Sequence, residues 1–200
     1  MHFGLEFAVA APIPMEHLMA LSWPTEPPTL TGAGVVLRPW RADDADAVYE
    51  ACQDADIQRW TTVPVPYLHE HAVGFVGDHA PGEWAARRGA PLCIAAPADD
   101  RVLGAVGLVR VDERDLIGEI GYWIAPWARR QGVATEAVAL VAGWAFGELG
   151  LARLELLIDP DTAGPRSVAE RAGFLLEGIL RSRAVIRGDR RDMAIYALTR

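Results

Sequence analysis

The stretch Gly121-Tyr-Trp-Ile-Ala-Pro-Trp-Ala-Arg-Arg-Gln-Gly-Val-Ala-Thr135 decides how this chain folds. Its first part belongs to a run, Ile117 to Ala125, that reads as a strand closed by Pro126. A short basic turn follows, and from Gly132 the period changes. Val133, Ala137, Leu140, Val141 and Trp144 recur at helical spacing, one apolar stripe of an amphipathic helix. A strand that turns into a helix in this way gathers free backbone N–H groups and the positive end of the helix dipole at one point, a site suited to an anionic phosphate. Gly132 lets a phosphate approach closely, Ala134 keeps the wall small, and Arg129 and Arg130 add positive charge at the rim. The chain has neither a G-x-x-x-x-G-K loop followed by Ser or Thr nor a G-x-G-x-x-G after a strand, so triphosphate and dinucleotide binding lack their signals. The remaining reading is a pyrophosphate held by a strand-to-helix turn.

Downstream, Gly147 and Gly150 end the helix, and Leu154 to Ile158 forms the nearly continuous apolar run of a buried strand reached through a crossover. A short helix over Ser167 to Ala172 stops at Gly173. Two last strands, Phe174 to Val185 and Asp192 to Leu198, flank a turn at Gly188-Asp189. Upstream, Val35 to Pro39 reads as a strand, and Asp43 and Asp44 open a helix through Ala51. Residues Thr61 to Tyr67 hold two prolines and form a loop. A second helix runs from His69 to Arg88, with Pro81-Gly82 as its weak point. Strands at Leu92 to Ala96 and Val102 to Val111 precede the polar hairpin connection Asp112 to Asp115. The order predicts a mixed α/β (α+β) domain over residues 31–200, with antiparallel hairpins around one strand–helix–strand crossover. Residues 1–30 read as an extension and linker, in which Met15 and Met19 offer later starts.

Composition narrows the function classes. The chain has 200 residues, 51% hydrophobic and 23% charged, with a net charge of −8. That is enough apolar material for a core, and too acidic a balance for non-specific nucleic-acid binding. All 19 basic residues are arginine and asparagine is absent, as a GC-rich genome would produce. Cys52 and Cys93 form no C-x-x-C pair, which predicts a reducing cytoplasm and no disulfide scaffold. The longest apolar stretch, Ala137 to Gly147, falls short of the ~20 residues a membrane span needs. The N-terminus carries Glu6 and Glu16 and no basic leader, so no secretory signal is expected.

Arg129-x-x-Gly132-x-Ala134 resembles the R/Q-x-x-G-x-G/A motif of the GNAT acetyltransferase superfamily, which cradles the pyrophosphate of acetyl-coenzyme A. Arg171-Ala172-Gly173-Phe174 is similar to another segment of that family. Leu37-Arg38-Pro39-Trp40 with Asp43-Asp44-Ala45 resembles the branch of the ribosomal-protein alanine and serine N-acetyltransferases. The resemblance covers Val35 to Leu198. It implies a GNAT-like fold, a mostly antiparallel sheet with flanking helices in which the parallel strands Glu119–Ala125 and Leu154–Ile158 splay apart because of a bulge in the first. It further implies that backbone groups of Tyr122, Trp123 and Ile124 pair with the pantetheine amides, and that the phosphates fall on Arg130, Gln131, Gly132, Val133, Ala134 and Thr135.

The implied reaction is attack of a neutral amine on the acetyl thioester. Glu119 is the candidate base and the Ile124 N–H the candidate donor to the developing oxyanion. Where the family often carries an Asn and then a hydroxyl to protonate the leaving thiolate, this chain has Thr162, Pro165 and Ala169. Thr162 could bond the pantetheine, but Pro165 and Ala169 supply no hydroxyl, so a non-catalytic acyl-coenzyme A-binding module stays open. Trp60, beside the Thr61–Tyr67 loop, is a candidate wall of the acceptor pocket. His69-Glu70-His71 lacks metal-ligand spacing, so no metal is expected, and the two cysteines read as core. The arginines between Arg181 and Arg191 read as the solvent face and turn of a hairpin. The expected acceptor is a protein or peptide N-terminal α-amine; a small-molecule amine, such as a polyamine or aminoglycoside, is the alternative. Neither nucleic acid nor membrane is an expected partner.

Overall fold

The computed structural model describes residues 21–200; the readings of the leader, of the alternative starts and of most of the extension lie outside the described residues. Eight strands form one sheet in the order β1-β2-β3-β4-β5-β6-β8-β7: β1 (Leu30–Thr31), β2 (Val36–Arg38), β3 (Ala90–Ala95), β4 (Val102–Asp112), β5 (Ile117–Ile124), β6 (Arg153–Ile158), β7 (Leu175–Ile186) and β8 (Asp189–Thr199). Every neighbouring pair is antiparallel except β5–β6. The mixed architecture expected from the element order is the one observed. Between β5 and β6 runs α5 (Val133–Trp144), the crossover helix.

Alternation along the strands sorts side chains to two faces. Leu108, Ile120, Leu154, Leu156 and Ile158 pack against Val138 and Val141 of α5. On the opposite face Cys93, Ala95, Ala105 and Ala125 meet Val48 of α1 (Ala45–Ala51), Ile57 of α2 (Ala55–Trp60) and Ala72 of α3 (His69–Gly74). Each of these Leu, Ile and Val side chains, fully buried, contributes about 1.5–3 kcal/mol. Arg38 sits in the second layer as a buried cation. Its two Nη atoms each lie 2.8 Å from an Asp44 oxygen, and Nε lies 2.8 Å from Asp100, tying β2 to the start of α1 and to the β3–β4 turn.

Several boundaries differ from the sequence reading. The helix expected over His69 to Arg88 is built from α3, a π turn at Phe75–His79 and α4 (Ala80–Ala85). The π turn widens the backbone just before Pro81, whose ring would collide with a regular preceding turn. The crossover helix passes through Gly147 and ends at Gly150, whose φ of +92° is the left-handed conformation that a C-terminal glycine adopts without strain. Two short elements leave no pattern in the sequence. β1 has only two residues, and the six-residue α2 is too short to show a periodicity. Its start is marked by Asp54, whose Oδ1 accepts from the N–H groups of Asp56 (3.1 Å) and Ile57 (3.0 Å).

The bulge expected in the first splayed strand lies instead on its neighbour. Leu108 pairs with Ile120 and Arg110 with Glu119, so Val109 of β4 is the extra residue. The longer arc is on β4, and β5 follows its bend.

Candidate active site

β5 and β6 pair at only three positions, Ile117–Arg153, Gly118–Leu154 and Glu119–Glu155. Past that point β5 stays on β4 and β6 stays on β8, so the two strands open like a fork. The Ala125 N–H donates to the Leu103 carbonyl at 2.9 Å, which fixes the alternation along β5. Residues 121, 123 and 125 turn their backbone groups toward β4, and those of Tyr122 and Ile124 face the open fork. The Trp123 backbone belongs to the β4 ladder, unlike those of its two neighbours, and its side chain lies on the α1 face, stacked on Trp40 at a centroid distance of 6.4 Å.

The turn beyond β5 has the conformation of an anion nest. Arg130 (φ +62°) and Gly132 (φ +80°) are left-handed, and a Cβ on Gly132 would meet nothing within 4 Å, so the space above it is open. Glu136 N–H is the first of α5 to find a helical carbonyl, that of Gly132, at 3.1 Å. The N–H groups of Val133, Ala134 and Thr135 precede it at the open N-terminus, where Gly132 offers no side chain to cap them. The Glu136 carboxylate is held by the Gly34 N–H at 2.9 Å. Gln131 donates to the Trp127 carbonyl at 3.1 Å. An extended molecule with amides at one end and a diphosphate at the other fits this run of groups: amide partners on Tyr122 and Ile124, anion donors at residues 130–135.

Arg129 does more than line a rim. Its Nη2 lies 2.5 Å from Asp54 Oδ1, its Nη1 3.6 Å from Asp56, and its Nε 3.4 Å from the Ile124 carbonyl. Thr162 closes the turn before α6 (Ala163–Arg171) by donating its hydroxyl to the Asp159 carbonyl at 2.7 Å. Pro165 lies in the first turn of α6, and Ala169 is fully buried in the core.

Glu119 stands at the closed base of the fork, on the face of Trp123. With Arg110, Asp112, Glu113, Ile117 and Glu155 it lines a cleft of ≈ 310 Å³. Burial pushes its carboxyl above the usual range, and neighbouring Glu155 adds to the effect, against the opposing pull of Arg110 and Arg183. Arg110 Nη2 is 3.3 Å from its Oε2. Trp60 ends α2, half-buried, with the Arg59 guanidinium 4.5 Å above its ring. The other candidates resolve into packing. Burial pushes the Cys52 thiol up to about 11 and Cys93 up to about 12, so neither is a ready thiolate. His69 meets Asp46 at 2.7 Å and His71 accepts from the Leu68 N–H at 3.0 Å, so the two rings serve different partners.

Sequence reasoning missed two groups. The Tyr122 hydroxyl is buried without a hydrogen-bond partner among the described residues, and burial pushes its phenol well above the usual value. The sequence pattern points to its backbone alone. Arg187, at the β7–β8 turn, reaches across to α2; a lone turn arginine carries no such signal.

Comparison with known proteins places this geometry. A family model described as "Acetyltransferase (GNAT) domain" matches residues 35–175. The chain is 38% identical over 106 residues to "Probable N-acetyltransferase YjcK" of Bacillus subtilis, covering 52% of this chain and 59% of that protein. It is 31% identical over 101 residues to the ribosomal-protein-serine acetyltransferase of Escherichia coli, covering 50% of this chain and 55% of that protein. The chain thus spans under two thirds of the length of these two relatives. Among solved structures, Mycobacterium smegmatis RimJ in complex with CoA-disulfide is 27% identical with a TM-score of 0.76, over 90% of each chain.

Proposed function

This chain belongs to the GNAT acetyltransferase family, and on that premise we propose that it is an acetyl-coenzyme A-dependent N-acetyltransferase whose acceptor is the α-amine of a protein or peptide N-terminus. The observation that carries the reading is the fork beside the nest: backbone groups of Tyr122 and Ile124 with no strand partner across the fork continue into the open start of α5 over a left-handed Gly132. The branch of the acceptor is supported by the likeness to the ribosomal-protein-serine acetyltransferase and to RimJ.

In this reading the N–H groups of residues 130–135 hold the phosphates, and the strand edge of β5 aligns the pantetheine. Acetyl-coenzyme A supplies its acyl group as a thioester, which the amine converts to an amide with release of the thiol. The Ile124 N–H, facing the fork, is the donor for the charge that builds on the acyl oxygen. Glu119 takes the amine proton, directly or through water. Its raised affinity for a proton brings it nearer to the working pH than an ordinary carboxylate. Thr162 lies at the turn after β6, where its lone pairs can accept from the pantetheine.

Mixing the protein with acetyl-coenzyme A and a panel of N-terminal peptides, polyamines and aminoglycosides, with thiol release as the readout, tests the proposal. Release with peptides supports it. Release with small amines alone moves the acceptor to that class, and coenzyme binding with no release at all leaves an acyl-coenzyme A-binding module.

A further inference from the structure

The helix α2 is fastened at both of its ends by arginines that come from opposite sides of the fork. At its start, Asp54 holds Arg129, which follows the end of β5. At its end, Arg187 donates to the carbonyls of Gln58 (3.2 Å from Nε, 2.5 Å from Nη2), Val63 (2.6 Å) and Thr61 (3.5 Å). A guanidinium is well suited to this place, since the last carbonyls of a helix are unpaired and carry the negative end of its dipole.

Arg187 reaches α2 because of how its hairpin is built. β6 ends at Ile158, opposite Ala194, so residues 189–193 of β8 and their β7 partners project past it. Between Leu180 and Ala184 β7 holds two more residues than β8 does. Ser182 there is left-handed (φ +52°), with its N–H on Asp192 at 2.8 Å and its carbonyl on Arg190 at 3.0 Å. A bulge of that size bends a hairpin. The six residues of α2 span about 9 Å at ~1.5 Å rise each, close to the ~9.5 Å left where one strand is missing from a sheet.

Resting on the acetyltransferase reading, we infer that Arg187 is a positioning residue for acceptor choice: with β5, Arg129, α2 and the β7–β8 hairpin it closes the acceptor side of the fork into a ring, which admits a slender primary amine threaded end-on, such as an extended peptide N-terminus, and turns away a bulky polycyclic one. Glu119 lies at the fork's base, on the face of the sheet against which α2 packs. Releasing the clasp removes several charge-assisted hydrogen bonds, each worth about tenfold or more in an equilibrium constant.

The test compares the full chain with Arg187→Ala and Arg187→Lys. Hydrogen exchange on the coenzyme-free proteins should show faster exchange over residues 58–67 in Arg187→Ala, with partial recovery in Arg187→Lys. Acetylation kinetics should show kcat/KM for an aminoglycoside rising about tenfold in Arg187→Ala, while KM for acetyl-coenzyme A stays unchanged and a short peptide changes little. Unaltered exchange would overturn the clasp itself. Faster exchange with the wild-type preference among amines intact would overturn its role in selection. If no amine is acetylated by wild type or variant, the acetyltransferase reading falls and the claim about selection falls with it, whereas the exchange data still decide whether the clasp exists.

Discussion

Arg129 and Asp54 meet at 2.5 Å, and the same Asp54 oxygen caps α2 through the N–H groups of Asp56 and Ile57. One carboxylate therefore joins the turn that precedes α5 to the start of α2. The Arg129 guanidinium holds the Asp54 carboxyl below its ordinary value. A depressed folded-state value means that the contribution is present above the unfolded value near 3.9 and is lost as pH falls through the lower, folded one. Asp54→Ala should destabilise the protein by about 1–2 kcal/mol at pH 7, the sum of a lost cap and a half-exposed ion pair. Urea unfolding of both proteins checks this, and their difference should shrink only as the acidic limit is approached.

Gly132→Glu should abolish coenzyme binding while leaving the fold in place. The site is open, so no neighbour is struck, but a side chain at φ +80° is strained and a carboxylate there opposes the diphosphate. A like charge ~4 Å away costs about 4 kcal/mol at the effective dielectric of a protein surface, roughly a thousandfold in affinity. Titration calorimetry with coenzyme A, alongside circular dichroism, separates loss of binding from loss of fold. Retained affinity would mean that the phosphates bind elsewhere.

The pH dependence of turnover should carry the mark of Glu119. Its raised carboxyl loses base function as pH falls through a value above the ordinary ~4.3. Glu119→Gln should lower kcat by about 10²–10⁴-fold and remove that acidic limb. The alkaline rise reports the acceptor instead: it should level off near the ~7.7–8.0 of an α-amine, and a continued climb toward ~10.4 would indicate an alkyl amine.

Tyr122→Phe should stabilise the coenzyme-free protein by about 1–3 kcal/mol, because a buried hydroxyl without a partner among the described residues pays its desolvation with no return. Thermal unfolding with and without coenzyme A checks it. If the bound coenzyme gives this hydroxyl an acceptor, the variant's advantage narrows in the complex. A variant less stable than wild type in both states would place an overlooked partner at this oxygen.

Much of this was legible in the residues. The change of period at Gly132, the apolar runs at 102–111 and 154–158, and Pro126 between strand and helix are local patterns set by sterics and burial, and they predict the sheet, the crossover and the strand-to-helix turn. What stayed hidden was either short or distant. α2 has too few residues for a periodicity, the extra residue Val109 is identified only by its partners on β5, and the orientation of Trp123 depends on which ladder its backbone joins. Sequence alone determined that a strand must turn into a helix at a glycine, because that follows from backbone conformation and neighbouring residues. Tertiary structure alone decided that Arg129 and Arg187, 58 positions apart in the chain, grip the two ends of one small helix, because a guanidinium's partners are fixed by where the sheet's bends carry it and not by the residues beside it.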